Sequence, residues 1–209
     1  MSINLLGMIL SIPGILIAFS FREYSRAWMA DKLGDKTPRF QGQLTLNPLA
    51  HINIVGLVLM LFTGFGWSKP VTINRYAFKN PKKDALKVNI TAWISNIIVA
   101  LIASIIYIIL LKFIRINNNE FLFIILVIFR NIVVINVNLF VFNTLPLPGL
   151  DGFRILEDLS PKIFYKVASV MQEYYSLILV VIIMLGKPVL AIPSSAILNL
   201  ISKIASLFI

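Results

Sequence analysis

Residues 88–111 run for twenty-four positions without one charged side chain. About 20 apolar residues in helical form cross the ~30 Å hydrocarbon core of a bilayer. In lipid a chain must satisfy its own backbone hydrogen bonds, so an isolated segment of this kind is a helix. The same reading holds for Phe121–Asn143, for Val167–Leu185 and for a long helix over residues 3–33 that opens on the apolar run Ile3–Phe19. Composition agrees. With 58% hydrophobic residues and mean hydropathy +0.88, the chain is too apolar for a soluble domain with a covered core. The expectation is an all-α polytopic membrane protein with about four to six transmembrane or re-entrant helices. It forms one domain over residues 1–209, with a core over 5–160 and C-terminal helices over 167–209.

The punctuation between these runs is equally informative. Ser11-Ile12-Pro13-Gly14 predicts a kink in the first helix, and Gly34 is placed to stop it. Gln41-Gly42-Gln43-Leu44-Thr45-Leu46 alternates in the manner of a strand, so a small β ribbon or loop is expected near the cytoplasmic face. Ile54–Phe65 is apolar but too short to cross, which makes it re-entrant or half-spanning. Leu145-Pro146-Leu147-Pro148-Gly149-Leu150-Asp151-Gly152 cannot be plain helix. Gly186-Lys187-Pro188 is read as the end of one span. Leu190–Ile209, interrupted by Pro193, is then a final span or an interfacial helix.

The formal charge of +10 excludes little until its distribution is considered. On a soluble protein it would suggest nucleic acid; on a membrane protein it reports cytoplasmic loops facing anionic lipid. Let the N-terminus lie outside and residues 54–65 turn back without crossing. Segments 21–53, 66–87 and 144–166 then share one side and carry 14 of the 19 Lys and Arg, against three on 112–120 and 186–189. That asymmetry makes the first side cytoplasmic. The expected surroundings are a lipid bilayer and no nucleic acid. With no cysteine there is neither a disulfide framework nor a thiolate metal site.

Arg22-Glu23-Tyr24-Ser25-Arg26 lies where the first long helix nears that cytoplasmic side. Charged groups at membrane depth cost roughly 2.5–3.5 kcal/mol each near the bilayer centre, so they mark function by default. Arg22 and Arg26 are i and i+4 on one helical face, the frame of a zinc-binding HExxH helix with arginine at both histidine positions. Asp151 belongs to the same side of the membrane, so the arginines and the Asp-Gly break can meet. Arg130, in mid-span, needs a partner from another helix, with Glu173 or Asp151 as candidates. His51 is the only histidine, and one imidazole makes no zinc site. Lys82-Lys83 reads as a solvated or lipid-facing pair.

Several segments together resemble the site-2 protease family of intramembrane zinc metalloproteases, in its compact bacterial form. They are Phe21–Ala27, Leu46-Asn47-Pro48-Leu49-Ala50-His51-Ile52-Asn53, Gly66-Trp67-Ser68-Lys69-Pro70-Val71, Ile94-Ser95-Asn96 and Asn143–Gly152. The last is the most specific, and order and spacing agree over roughly residues 15–160. The resemblance implies that positions 22 and 26 are zinc-ligand positions and that Glu23 is the general base. It further implies that Asp151 is the third ligand and that Asn96, Asn143 and His51 line the site or its substrate. The family's chemistry is attack of a zinc-bound water on a peptide bond of a membrane-embedded substrate.

The departures from the family pattern cluster on these motifs. Arginine stands at both histidine positions, Asn53 at an aspartate, Arg75 at a proline and Ala92-Trp93 at a Gly-Pro. Guanidinium has five N–H donors and no lone pair to give a metal. Two arginines also bring the +2 charge that two neutral histidines and Zn²⁺ would bring. One expectation is therefore an Arg–carboxylate network in the old metal site; the other is that both arginines reach out to lipid phosphate. No cofactor is expected, although the family uses zinc. The leading functional expectation is a catalytically inactive scaffold that binds transmembrane or membrane-anchored client proteins. An active intramembrane zinc metalloprotease and a small transporter are the alternatives.

Overall fold

The computed structural model describes residues 5–64, 66–116 and 119–208, and only the backbone of 115–116, 175–176 and 179–189. Among these residues the chain is helical, without strands. Its helices are α1 (Leu5–Lys32), α2 (Thr37–Phe40), α3 (Ile54–Thr63), α4 (Pro81–Ile116), α5 (Glu120–Thr144), α6 (Asp151–Leu159), α7 (Pro161–Glu173) and α8 (Tyr175–Ser206). Short 3₁₀ turns at Pro48–Ala50 and Arg75–Ala77 punctuate the loops. Among the described residues three helices, α1, α4 and α5, are long and apolar enough to cross a membrane, and Ile54–Thr63 and Leu190–Ser206 are shorter apolar stretches. The all-α membrane architecture follows as expected.

α1, α4 and α5 pack on one another as the central bundle. One core cluster joins Ile15, Ala18 and Phe19 of α1 to Met60 of α3 and to Ile135 and Leu139 of α5. Another brings Ala100 of α4, Val137 of α5 and Ile201 of α8 together. Small residues at these contacts let helices approach closely where no hydrophobic drive separates protein from lipid. Asparagines then bind the bundle: Asn96 Nδ2 donates to Asn136 Oδ1 at 2.9 Å and to the Ala18 carbonyl at 3.4 Å, while Asn131 Nδ2 reaches the Leu10 carbonyl at 3.1 Å.

Three details differ from the sequence-based expectation. Residues 41–46 take the loop form, not the ribbon: His51 Nε2 lies 2.8 Å from the Thr45 carbonyl, and no neighbouring strand offers a ladder. The span drawn over Val167–Leu185 is not one element. α7 ends at Glu173 and α8 starts at Tyr175, then continues through Pro188 and Pro193. A proline removes one hydrogen bond, but it does not end a helix whose other residues are held by tertiary packing, as Leu190, Ile201 and Ala205 are here. Finally, Arg130 faces outward and pairs with neither Asp151 nor Glu173.

Candidate functional site

α1 presents Arg22, Glu23 and Arg26 to the interior, all buried, Arg26 completely. Asp151 reaches them from the opposite wall. The Asn143-Thr144-Leu145-Pro146 sequence ends α5, because Pro146 has no N–H to continue it. Leu150 is extended at φ −90°, ψ 162°, and α6 begins at Asp151 with its carboxylate in the favourable first turn. Gly152 permits this reversal. A Cβ there would run into the carbonyl oxygens of Thr144 and Leu145.

Asp151 is thus held between the two arginines. Arg22 Nε donates to its Oδ2 at 2.9 Å, and Arg26 Nη2 donates to its Oδ1. Glu23 is as fully engaged. Its Oε1 accepts from Arg22 Nη1 at 2.6 Å and Ser68 Oγ at 2.8 Å; its Oε2 accepts from Val71 N at 3.0 Å and lies 3.4 Å from Arg26 Nε. Arg22 also donates to Ser68 Oγ and to Asn143 Oδ1, each at 3.0 Å. The network continues outward: Arg26 Nη1 donates to Asn89 Oδ1 at 2.9 Å, and Asn89 Nδ2 to Asp158 Oδ2 at 2.9 Å. Arg75 then pairs with Asp158 at 3.1 Å and with Glu157 at 3.0 Å. Burial alone would raise the Asp151 pKa; the charges and hydrogen bonds of Arg22 and Arg26 outweigh it and hold the carboxyl below its usual range. Burial has the upper hand at Asp158, which is pushed up despite Arg75.

The loop that supplies Ser68 and Val71 is seated by two glycines. Gly56 on α3 and Gly66 approach so closely that a Cβ on Gly66 would strike the Gly56 carbonyl, and one on Gly56 the Trp67 carbonyl. Asn53 caps α3, accepting from Gly56 N at 3.0 Å. Between this loop and helices α1, α5, α7 and α8 lies a cavity of about 450 Å³. Phe19, Leu59, Leu139, Phe142, Met171 and Ile178 give it apolar walls, and Arg22, Glu23, Ser68, Asn143 and Arg154 a polar end. A second, polar cavity of about 220 Å³ lies beyond, lined by Arg26, Arg75, Asn89, Arg154 and Glu157 among others.

The structure brings Arg22, Glu23, Arg26, Asn143 and Asp151 together, and the arginines turn inward to carboxylates rather than outward to lipid. His51 stands apart; fully buried, it ties its loop to Thr45. Asn96 also stands apart, as a bond between helices. Trp93 is not in the cavity: it stacks on Phe140 with ring centroids 4.6 Å apart. Sequence reasoning passed over Ser68, Asn89, Arg154 and Asp158 as site residues, although Ser68 lies inside a quoted motif.

Residues 5–186 match peptidase family M50. The chain belongs to peptidase family M50, the site-2 protease family. It is also similar to a Bacillus subtilis (strain 168) protein named "Putative zinc metalloprotease YwhC", with 37% identity over 154 residues covering 70% of this chain and 67% of that protein. No solved structure matches it. Members of family M50 are membrane-embedded zinc metallopeptidases, so the fit of a zinc ion can be tested on the donor set. It fails. Two of the positions are guanidinium groups without lone pairs, and both oxygens of Asp151 and of Glu23 are already committed to N–H and O–H donors. No cluster of three or more His, Cys, Asp or Glu stands ready to hold a metal among the described residues.

Proposed function

We propose that this chain is a family M50 scaffold that does not hydrolyse peptide bonds and that binds transmembrane or membrane-anchored client proteins at the cavity beside Arg22 and Glu23. One observation carries the reading: Arg22 and Arg26 both close on Asp151, in the place where the family holds zinc. A zinc ligand must offer a lone pair, and the lowered pKa of a metal-bound water depends on such ligation. The four charges balance in pairs, two arginines against two carboxylates, so the site needs no cation to hold its helices together. Glu23, the general-base position, accepts three hydrogen bonds, from Arg22, Ser68 and Val71, so each of its oxygens already has a donor. What remains is a membrane-depth cavity with apolar walls and a polar end, the ordinary form of a recognition site. The distribution of Lys and Arg supports a site that faces the cytoplasm, and the likeness to a Bacillus subtilis protein supports the bacterial cell membrane.

Metal analysis of the protein purified in detergent tests the first half of the reading. Less than a tenth of an equivalent of zinc, on the order of adventitious loading, is expected. Stoichiometric zinc that a chelator removes, together with cleavage of a membrane-spanning peptide that the chelator abolishes, would establish the active zinc metalloprotease instead. Cross-linking from a photoreactive residue at Trp67 in cells tests the second half: client proteins should be trapped there, and trapping of lipid alone would refute client binding.

A further inference from the structure

Three of the four arginines around the site have carboxylate partners: Arg22 and Arg26 share Asp151 and Glu23, and Arg75 holds Glu157 and Asp158. Arg154 does not. Its guanidinium makes no hydrogen bond or ion pair among the described residues, yet the residue is largely buried and lines both cavities. Asp151 and Glu23 act on it only through space, their oxygens being hydrogen-bonded to other donors. The Arg26 charge, then burial, hold the Arg154 pKa down at about 10, which leaves it a full cation at neutral pH. A buried cation at the polar end of an apolar cavity calls for an anion from outside the chain.

The cavity limits what that anion can be attached to. Apolar walls along its length and one unpaired cation at its polar end suit a single apolar chain that carries one anionic group. A free inorganic anion would leave the apolar walls formed by Phe19, Leu139, Phe142 and Met171 unfilled.

We propose that the cavity holds a fatty acid, its carboxylate on Arg154 and its acyl chain between Phe19 of α1, Leu139 of α5 and Met171 of α7. Guanidinium and carboxylate make two parallel charge-assisted hydrogen bonds, and the apolar walls keep the acyl chain out of water. The proposal stands apart from the client reading, since it concerns what fills the cavity when no client does.

Trp67 lines the cavity and reports on it. The full chain in neutral maltoside detergent is titrated with dibromostearate, whose bromines quench indole fluorescence. Saturable quenching that unlabelled oleate reverses is expected. It should weaken about tenfold or more in Arg154→Gln, the size of a lost charge-assisted pair, and less in Arg154→Lys. Trp67→Phe should remove the saturable component. The methyl ester of dibromostearate, used on the unaltered protein, should quench only weakly. Equal quenching by acid and ester, or an Arg154→Gln protein that keeps the same midpoint, overturns the proposal. So does stronger competition from dioleoyl phosphatidate or from a leucine–alanine transmembrane peptide than from oleate.

Discussion

Arg22 Nε lies 2.9 Å from Asp151 Oδ2, which joins two residues 129 positions apart in the chain and fastens α6 to the interior of α1. Both groups are buried, so neither has water to fall back on. An ion pair in such a place contributes less net stability than its distance suggests, because both charges were taken out of water. Its removal from one side only is a different matter.

Asp151→Asn leaves Arg22 and Arg26 facing one neutral amide. The expected loss is about 3–5 kcal/mol, the usual result of stranding a buried charge. Thermal denaturation in detergent should show it as a clear fall in the midpoint, and an unchanged midpoint would contradict the network. Asp158→Asn should cost no more than about 1 kcal/mol, because Arg75 is partly exposed and keeps Glu157.

Acid should act through Asp151 with a definite sign. Its folded carboxyl titrates below the ordinary aspartate value of 3.8, so the stability it contributes is complete above that value and disappears as pH falls through the lower, folded one. Asp158, pushed up by burial, works in the opposite direction in the window just above 3.8: its folded form takes a proton first, which favours folding as pH drops. The thermal midpoint of the unaltered protein should therefore hold or rise slightly down to about pH 4 and fall below it. Scans across pH 3 to 7 measure this, and a midpoint that declines steadily from neutrality is the contrary result.

Arg22→His with Arg26→His restores two imidazoles at i and i+4 opposite Asp151. The double variant should bind about one zinc per chain, removable by a chelator, and the parent should bind less than a tenth of that. Asn53 and Trp93 are unchanged in it, so zinc without proteolysis is the expected combination. Failure to take up zinc would mean that the backbone no longer holds the ligand frame.

Gly152→Ala should destabilise by about 1–3 kcal/mol, because its Cβ meets two carbonyl oxygens that belong to the end of α5. The same collision displaces Asp151, so the double-histidine protein carrying Gly152→Ala should hold zinc at least tenfold more weakly, by the order of effect seen when a ligand loses its support.

Much of this was legible in the chain. The uncharged run at 88–111 and the Pro-Leu-Pro-Gly break declare themselves because lipid and proline each leave one solution. Arg22, Arg26 and Asp151 could be brought together from helical spacing and the side on which the loops lie. The Arg75–Asp158–Asn89 relay could not. Arg75 sits in a basic loop of no periodicity, and its partners are fixed only when α6 docks on α4. The α7–α8 boundary was hidden for another reason: Val167 to Val170 on amphipathic α7 blend into the apolar residues that follow Tyr174, and hydropathy alone does not see the turn. The ribbon suggested for 41–46 failed because alternation needs a partner strand, and none is there.

The close seam between Gly56 and Gly66 has a mechanical meaning. It welds α3 to the loop that carries Ser68 and Val71, and those residues grip Glu23 on α1. That wall of the cavity moves as one piece with the bundle or not at all. The opposite wall has no such weld: α7 buries none of its residues and meets α8 across a single break at Tyr174. The cavity therefore has one wall fixed backbone to backbone and another formed by the side chains of Met171 and Ile178.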